Sequence, residues 1–254
     1  MISPAARIVQ IWKIGGVVLL AVVLLFLPLP AWVQADGVYT VYLPLIFRAD
    51  PVNTNPVHEG IATYYYATGA GACSFDPSPD DLMVAAMNAD EYGQAAYCGA
   101  YVSVTGRNGD VVVRIVDLCP GCSAGDLDLS LEAFAQIDNL SAGRVPISWQ
   151  VVSPPLSGPI AYHFKSGSNQ WWTAVQVRNH RNPIASFEFR RSGDNVWVPV
   201  PRTSYNYFVQ YSGMGSGPYD FRVTDWYGNV LIDTDIPFLE DGTFAGDGQF
   251  PAWP

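Results

Sequence analysis

The chain has 254 residues, 49% of them hydrophobic, enough for one large domain or two small ones with cores of their own, so disorder is not the expected state. Its 23 acidic and 13 basic residues give a net charge of -10, which makes nucleic acid and anionic surfaces poor partners and suits a neutral or basic one.

Residues 1–35 read as an export signal. Arg7 and Lys13 flank the apolar run GGVVLLAVVLLFLPL, and the small residues of WVQAD offer cleavage after Ala35. An uncleaved membrane anchor is the alternative; cleavage implies a secreted, extracellular chain with no membrane segment. Residues 36–57, with the short patch VYLPLIF followed by the Pro- and Asn-rich RADPVNTNPVH, read as a tether.

A first domain is expected over 58–152. Its strand-like runs are GIATYYY, AYVSVTG, DVVVRIVDL and VPISWQVV. Two helical stretches are predicted among them: SPDDLMVAAMN, opened by Ser78 and Pro79, and SLEAFAQI, opened by Ser130. Export permits disulfides, and Cys73, Cys98, Cys119 and Cys122 fall within one fifty-residue stretch, so two bridges inside this domain are expected, in one of three connectivities. The pair in CPGC lacks the strand-to-helix setting of a redox motif and the second ligand pair of a zinc site, so neither a metal nor another cofactor is expected.

The Pro-rich SPPLSGP, residues 153–159, reads as a linker. Over 160–254 the runs IAYHFK, WWTAVQVR, IASFEFRR, VWVPVPR, YNYFVQY, DFRVTDWYG and VLIDTDI are nearly all strand-like and regularly spaced, which suggests a β-sandwich. Trp171 and Trp172 stand side by side at the start of one such run. Neighbours on a regular strand face opposite ways, so one indole would fill the core and the other stand in water unless the strand begins irregularly.

Asp117 closes the apolar run VVVRIV, and Asp128 lies eleven residues on, before a predicted helix. Both are placed to line one groove; turn and cap chemistry is the plain alternative for each.

GIATYY, VVRIVDLCPGC and GDLDLSLEAFAQI resemble the double-psi β-barrel of expansins and family 45 endoglucanases. KSGSNQWWTAVQVRNHRNPI, YNYFV and FRVTDWYGNVL resemble the cellulose-binding module of bacterial expansins, an immunoglobulin-like sandwich. The resemblance implies a mainly β chain, a six-stranded double-psi β-barrel followed by that sandwich. It further implies that Trp171, Trp172 and Tyr205, a tyrosine from another strand, form an exposed row for a flat glucan, with Lys165 as a cation on the same face. Flat rings suit sugars because a pyranose lays its axial C–H groups over the electron-rich ring. In the barrel, Asp128 matches the endoglucanase general acid, whereas Ala67 stands where the base would be. The pair needed for hydrolysis is therefore broken. Thr63, Asp117 and Asp128 are then expected to hydrogen-bond glucan hydroxyls, although a groove tyrosine of some bacterial expansins falls on Cys119 here. His180, in the same motif as the tryptophans, reads as structural.

The resemblance thus implies a monomer that binds cellulose and associated glucans and loosens wall polysaccharides without cutting them. Two rivals stand beside it: a glycosidase or lytic transglycosylase with Asp128 as sole acid, and a wall-targeted barrel of the protease-inhibitor kind.

Overall fold

The structure, a computed structural model, describes residues 12–14, 17–19 and 55–253. In an N-terminal unit, β1 (Trp12–Ile14) and β2 (Val17–Leu19) pair antiparallel. The remainder of the export signal, its cleavage point and residues 36–54 of the tether lie outside the described residues.

In the second unit, six strands close into a barrel: β3 (His58–Tyr65), β4 (Val84–Asn88), β5 (Tyr101–Thr105), β6 (Asp110–Cys119), β7 (Leu127–Ser130) and β8 (Val145–Val152). Their order is β3-β7-β4-β6-β5-β8, with β3 parallel to β7, β4 parallel to β6 and every other pairing antiparallel. This is the double-psi β-barrel. The alternation of β8 is regular, Val145, Ile147, Trp149 and Val151 pointing into the core. In β6, Val111, Val113 and Ile115 point inward, and then the phase changes. Ala85 of β4 pairs with Ile115 but Ala86 pairs with Asp117, which leaves Val116 as the extra residue of a bulge. Val116 is buried in the core, and Asp117 is thereby turned to the other face.

One predicted helix is a strand. SPDDL is a turn, with the Ser78 hydroxyl donating to the Asp81 carbonyl (3.0 Å), and VAAMN is β4. Val84 to Met87 are all buried, and β4 is paired along both edges, with β6 and β7, as one of the strands of the barrel wall. Such an apolar run carries no periodicity to separate strand from helix. A single helical turn follows, α1 (Ala89–Tyr92), capped by Asn88, whose side chain accepts from the Glu91 amide at 3.1 Å. The second predicted helix is α2 (Leu131–Ile137), with Ser130 accepting from the Ala133 amide (3.1 Å) and Ala133, Phe134 and Ile137 on its buried face.

The sandwich has two four-stranded sheets. One is ordered β13-β10-β9-β16, from β9 (Ala161–Phe164), β10 (Thr173–Arg178), β13 (Phe208–Gln210) and β16 (Thr243–Ala245). The other is β12-β11-β14-β15, from β11 (Ile184–Arg191), β12 (Val198–Val200), β14 (Tyr219–Asp225) and β15 (Val230–Ile236). Tyr162, Phe164, Val175, Val177, Phe208 and, from the second sheet, Phe187, Phe221 and Val223 interdigitate between them. β16 was not foreseen: its one large apolar residue, Phe244, gives no alternation to read, and the strand exists by pairing with β9.

Barrel and sandwich belong to one compact unit and meet through buried polar groups. Gln176, fully buried, donates to the Cys73 carbonyl (2.9 Å), and Asn206 donates to the same oxygen (3.2 Å). Arg202 donates to the Ala95 carbonyl (2.7 Å) and to that of Ile184, and burial lowers its pKa to about 10. His180 is buried with its ring against Gly99 of the barrel, where a Cβ would come within 2.5 Å of Nε2. Its Nδ1 pairs with the Asn182 carbonyl (2.8 Å), and burial lowers its pKa to about 4, so the ring is neutral and Nδ1–H is the donor.

Candidate functional site

Four adjacent barrel strands carry a row of groups. Thr63 on β3 is the register partner of Asp128 on β7, Asp128 is a partner of Ala86 on β4, and Ala86 is in turn a partner of Asp117 on β6. Two strand spacings separate the aspartates, so their Cα atoms are about 10 Å apart. The Thr63 hydroxyl donates to Asp128 Oδ1 at 2.6 Å. Asp117 Oδ1 accepts from the amides of Ala72 (2.6 Å) and Leu118 (2.8 Å). The Ala72 contact depends on Gly71, where a Cβ would lie 2.4 Å from Asp117 Cγ. Asp128 is not a helix cap; that role is taken by Ser130.

Burial raises the pKa of Asp128 and the charge of Asp117 adds to the rise, while the Thr63 hydrogen bond opposes both. Tyr65, two residues beyond Thr63 on the same strand, was not among the expected site residues. Its hydroxyl is buried without a hydrogen-bond partner among the described residues, and its pKa is raised by burial and then by the charges of Asp117 and Asp128. The Thr63-x-Tyr65 spacing was the available signal, since period two puts both on one face. Ala67 packs its methyl against the barrel core, so no carboxylate stands there. Cys119, at the end of β6, is bonded to Cys122, and Cys73 to Cys98, the connectivity that sequence left open. Neither cysteine of CPGC is therefore a free thiol.

The second set of residues lies on the outward face of the β13-β10-β9-β16 sheet. Trp172 forms an isolated bridge with Asn169, and Trp171 sits in the turn between them, outside the ladder. Asn169 Oδ1 holds that turn by accepting from the amides of Trp171 (2.9 Å) and Trp172 (3.1 Å). Trp171 is 71% exposed, whereas Trp172 is half-buried against a small cluster of Ala174, Tyr207 and Val209. Tyr205 packs on the same cluster, but from a turn before β13 and not from a strand. Asn206 makes that turn possible: its φ is +63°, a conformation that asparagine tolerates better than most residues. The barrel secures the turn through Tyr92, whose hydroxyl donates to the Ser204 carbonyl (2.9 Å), and through the Asn206 contact to Cys73. Lys165 Nζ lies 5.5 Å from the Tyr207 ring centre. Tyr207 is the buried floor beneath these groups and was not foreseen.

A closed barrel with two half-buried carboxylates in one row, joined to a sandwich with outward aromatic side chains, defines a double-psi barrel protein with an immunoglobulin-like module. The family model described as lytic transglycolase matches residues 58–149. Over 208 residues the chain is 39% identical to Expansin-YoaJ of Bacillus subtilis (strain 168), a match that covers 77% of this chain and 87% of the relative. The crystal structure of the apo expansin of Clavibacter michiganensis superimposes with a TM-score of 0.71 at 36% identity, covering 77% of this chain and 99% of that one. A point variant of the same expansin, solved in complex with cellohexaose, matches with the same TM-score and coverage at 35% identity. The chain belongs to the expansin family.

Proposed function

We propose that this is a secreted, monomeric expansin, exported by cleavage after Ala35, that binds cellulose through residues 160–254 and loosens contacts between wall glucans through the barrel of residues 58–152 without hydrolysing them. The observation that carries the proposal is the condition of the groove carboxylates. Asp128 is engaged by Thr63, Asp117 Oδ1 by two amides, and position 67 holds a methyl group. These contacts support a reading in which the groups hold hydroxyls over one in which an acid and a base face each other across a bond. The cellohexaose complex of the Clavibacter relative supports a cello-oligosaccharide as ligand. A groove that favours a separated or twisted chain shifts the balance away from lateral packing by its differential affinity, and needs no covalent step. The net charge of -10, which becomes -12 when cleavage removes Arg7 and Lys13, suits a neutral polymer.

The test joins a cellulose pull-down to wall mechanics and a reducing-sugar assay. The parent is expected to bind cellulose and weaken cellulose paper while releasing no soluble sugar, and Asp128→Asn to abolish weakening with binding retained. Asn keeps the size but loses the charge-assisted hydrogen bond, about twice as strong as a neutral one.

The raised pKa of Asp128, together with the barrel's match to the lytic transglycolase family model, favours one second reading, in which Asp128 is a lone general acid. Sustained release of oligosaccharides or anhydro-sugars by the parent, lost in Asp128→Asn, would establish it and overturn the first.

A further inference from the structure

Tyr211 follows β13 directly and is 67% exposed. The register of β10 and β13 pairs Val175 with Phe208, Ala174 with Val209 and Thr173 with Gln210. Extended by one step, it sets Tyr211 opposite Trp172. Alternation gives the same placement. Phe208 points into the sandwich core, while Tyr207 and Val209 belong to the outward cluster on which Trp172 and Tyr205 pack, and this alternation, continued one residue past the end of β13 into the Gln210–Gly213 turn, directs Tyr211 toward the outward face.

The turn that holds Tyr211 is locked to the tryptophan segment. Gly213 N donates to the Gln210 carbonyl (3.0 Å), Gly215 N to the Gln170 carbonyl (3.1 Å) and Met214 N to Thr173 Oγ1 (3.1 Å). Gly213 lies so close to the backbone of Gln170 and Trp171 that a Cβ would be 2.4 Å from Trp171 Cα. Tyr211 therefore keeps a fixed relation to both tryptophans. Along the sheet, the cluster carries Tyr205 on one side and Trp172 on the other, in the direction of β10 and β13. The β10–β13 register, carried one step beyond its last pair of Thr173 with Gln210, brings Tyr211 to the Trp172 side of the sheet. Tyr211 widens the aromatic face at its tryptophan end.

We propose that Tyr211 is a further sugar-stacking ring and that it contacts a second glucan chain lying beside the one on Trp171, Trp172 and Tyr205. The sandwich then recognises the flat side of adjoining chains, as in crystalline cellulose, and not a single chain alone. This inference rests on the cellulose-binding reading above.

The experiment compares the affinity of the full-length protein for insoluble crystalline cellulose with its affinity for soluble cellohexaose. Tyr211→Ala is expected to lower the ratio of the two affinities about three- to tenfold, the range for loss of one ring contact. Tyr211→Phe, which keeps the ring, should restore the ratio. Trp172→Ala should lower both affinities. If Trp172→Ala changes neither, the cellulose-binding reading itself fails. If Trp172→Ala acts as expected but Tyr211→Ala leaves the ratio unchanged, whether by weakening both ligands equally or by weakening neither, only the second-chain assignment fails. The exposure of Tyr211 means that its removal opens no core cavity, and an unchanged melting temperature serves as the control.

Discussion

The barrel row and the sandwich face hold their side chains in different ways. In the row, carboxylates and hydroxyls come from paired strands and are already engaged by the fold: Thr63 with Asp128, Ala72 and Leu118 with Asp117. On the face, Trp171 and Tyr205 sit in turns, and turn chemistry at Asn169 and Asn206 sets where they stand. Directional polar contacts demand accurate placement, which a closed barrel supplies. Stacking on a flat polymer demands area in one plane, which turns at a sheet's end can deliver. The barrel also steadies the face, because the Cys73 carbonyl accepts from both Gln176 and Asn206.

Loss of the three rings should separate the two regions most clearly. Alanine at Trp171, Trp172 and Tyr205 together should lower cellulose affinity at least about a hundredfold, each ring being worth about 1 kcal/mol, while the melting temperature holds. A triple variant that sediments with cellulose like the parent would show that the face is not the carrier.

The two disulfides sharpen the link between the regions. Cys73–Cys98 closes a separation of 25 residues and should contribute about 3.5 kcal/mol, whereas Cys119–Cys122 closes only 3 and should contribute about 2. Because Cys73 also anchors the Tyr205 turn, serine at Cys73 and Cys98 should reduce cellulose affinity as well as stability. Serine at Cys119 and Cys122 should leave cellulose affinity unchanged. Urea unfolding and pull-down of the two double variants would reveal any reversal of that order.

Acid should loosen the seam. The pKa of His180 is lowered by burial from 6.5 to about 4, so the stability it contributes is fully present above pH 6.5 and is lost as pH falls toward 4. At pH 5 the loss is about 2 kcal/mol. His163, whose pKa burial also lowers, acts with the same sign. Urea unfolding at pH 7 and pH 5 should show this drop in the parent and a smaller one in His180→Gln; equal drops would remove His180 from the account.

The smallest effect is expected at Gly213, whose φ is +75° and whose Cβ would come 2.0 Å from the Gln170 carbonyl oxygen. Backbone on both sides cannot yield cheaply, so Gly213→Ala should shift the Trp171 turn and weaken cellulose binding about tenfold. Binding equal to the parent's would mean that the turn adapts.

Much of this molecule is legible in local patterns. The alternation of VPISWQVV places Val145, Ile147, Trp149 and Val151 in the core, and Ser130 before an amphipathic stretch starts α2, because burial of one face and capping of free amides act over a few residues. Thr63 and Tyr65 share a face for the same reason. Other features needed the neighbouring strands. VAAMN is a strand because β6 and β7 enclose it, and β16 is one because β9 offers an edge. Alternation from Val111 would send Asp117 into the core, and only the bulge at Val116, set by pairing with β4, brings it into the row with Asp128. Trp171 leaves the ladder because Asn169 closes a turn, and the cysteines pair as they do because the barrel brings Cys73 to Cys98. Which residues prefer burial, and which chemistry they bring, can be read from the chain alone, since those are properties of side chains and short periods. Register, bulges and disulfide partners were decided by the tertiary structure, because each is fixed by contact with a strand or a loop remote in the chain.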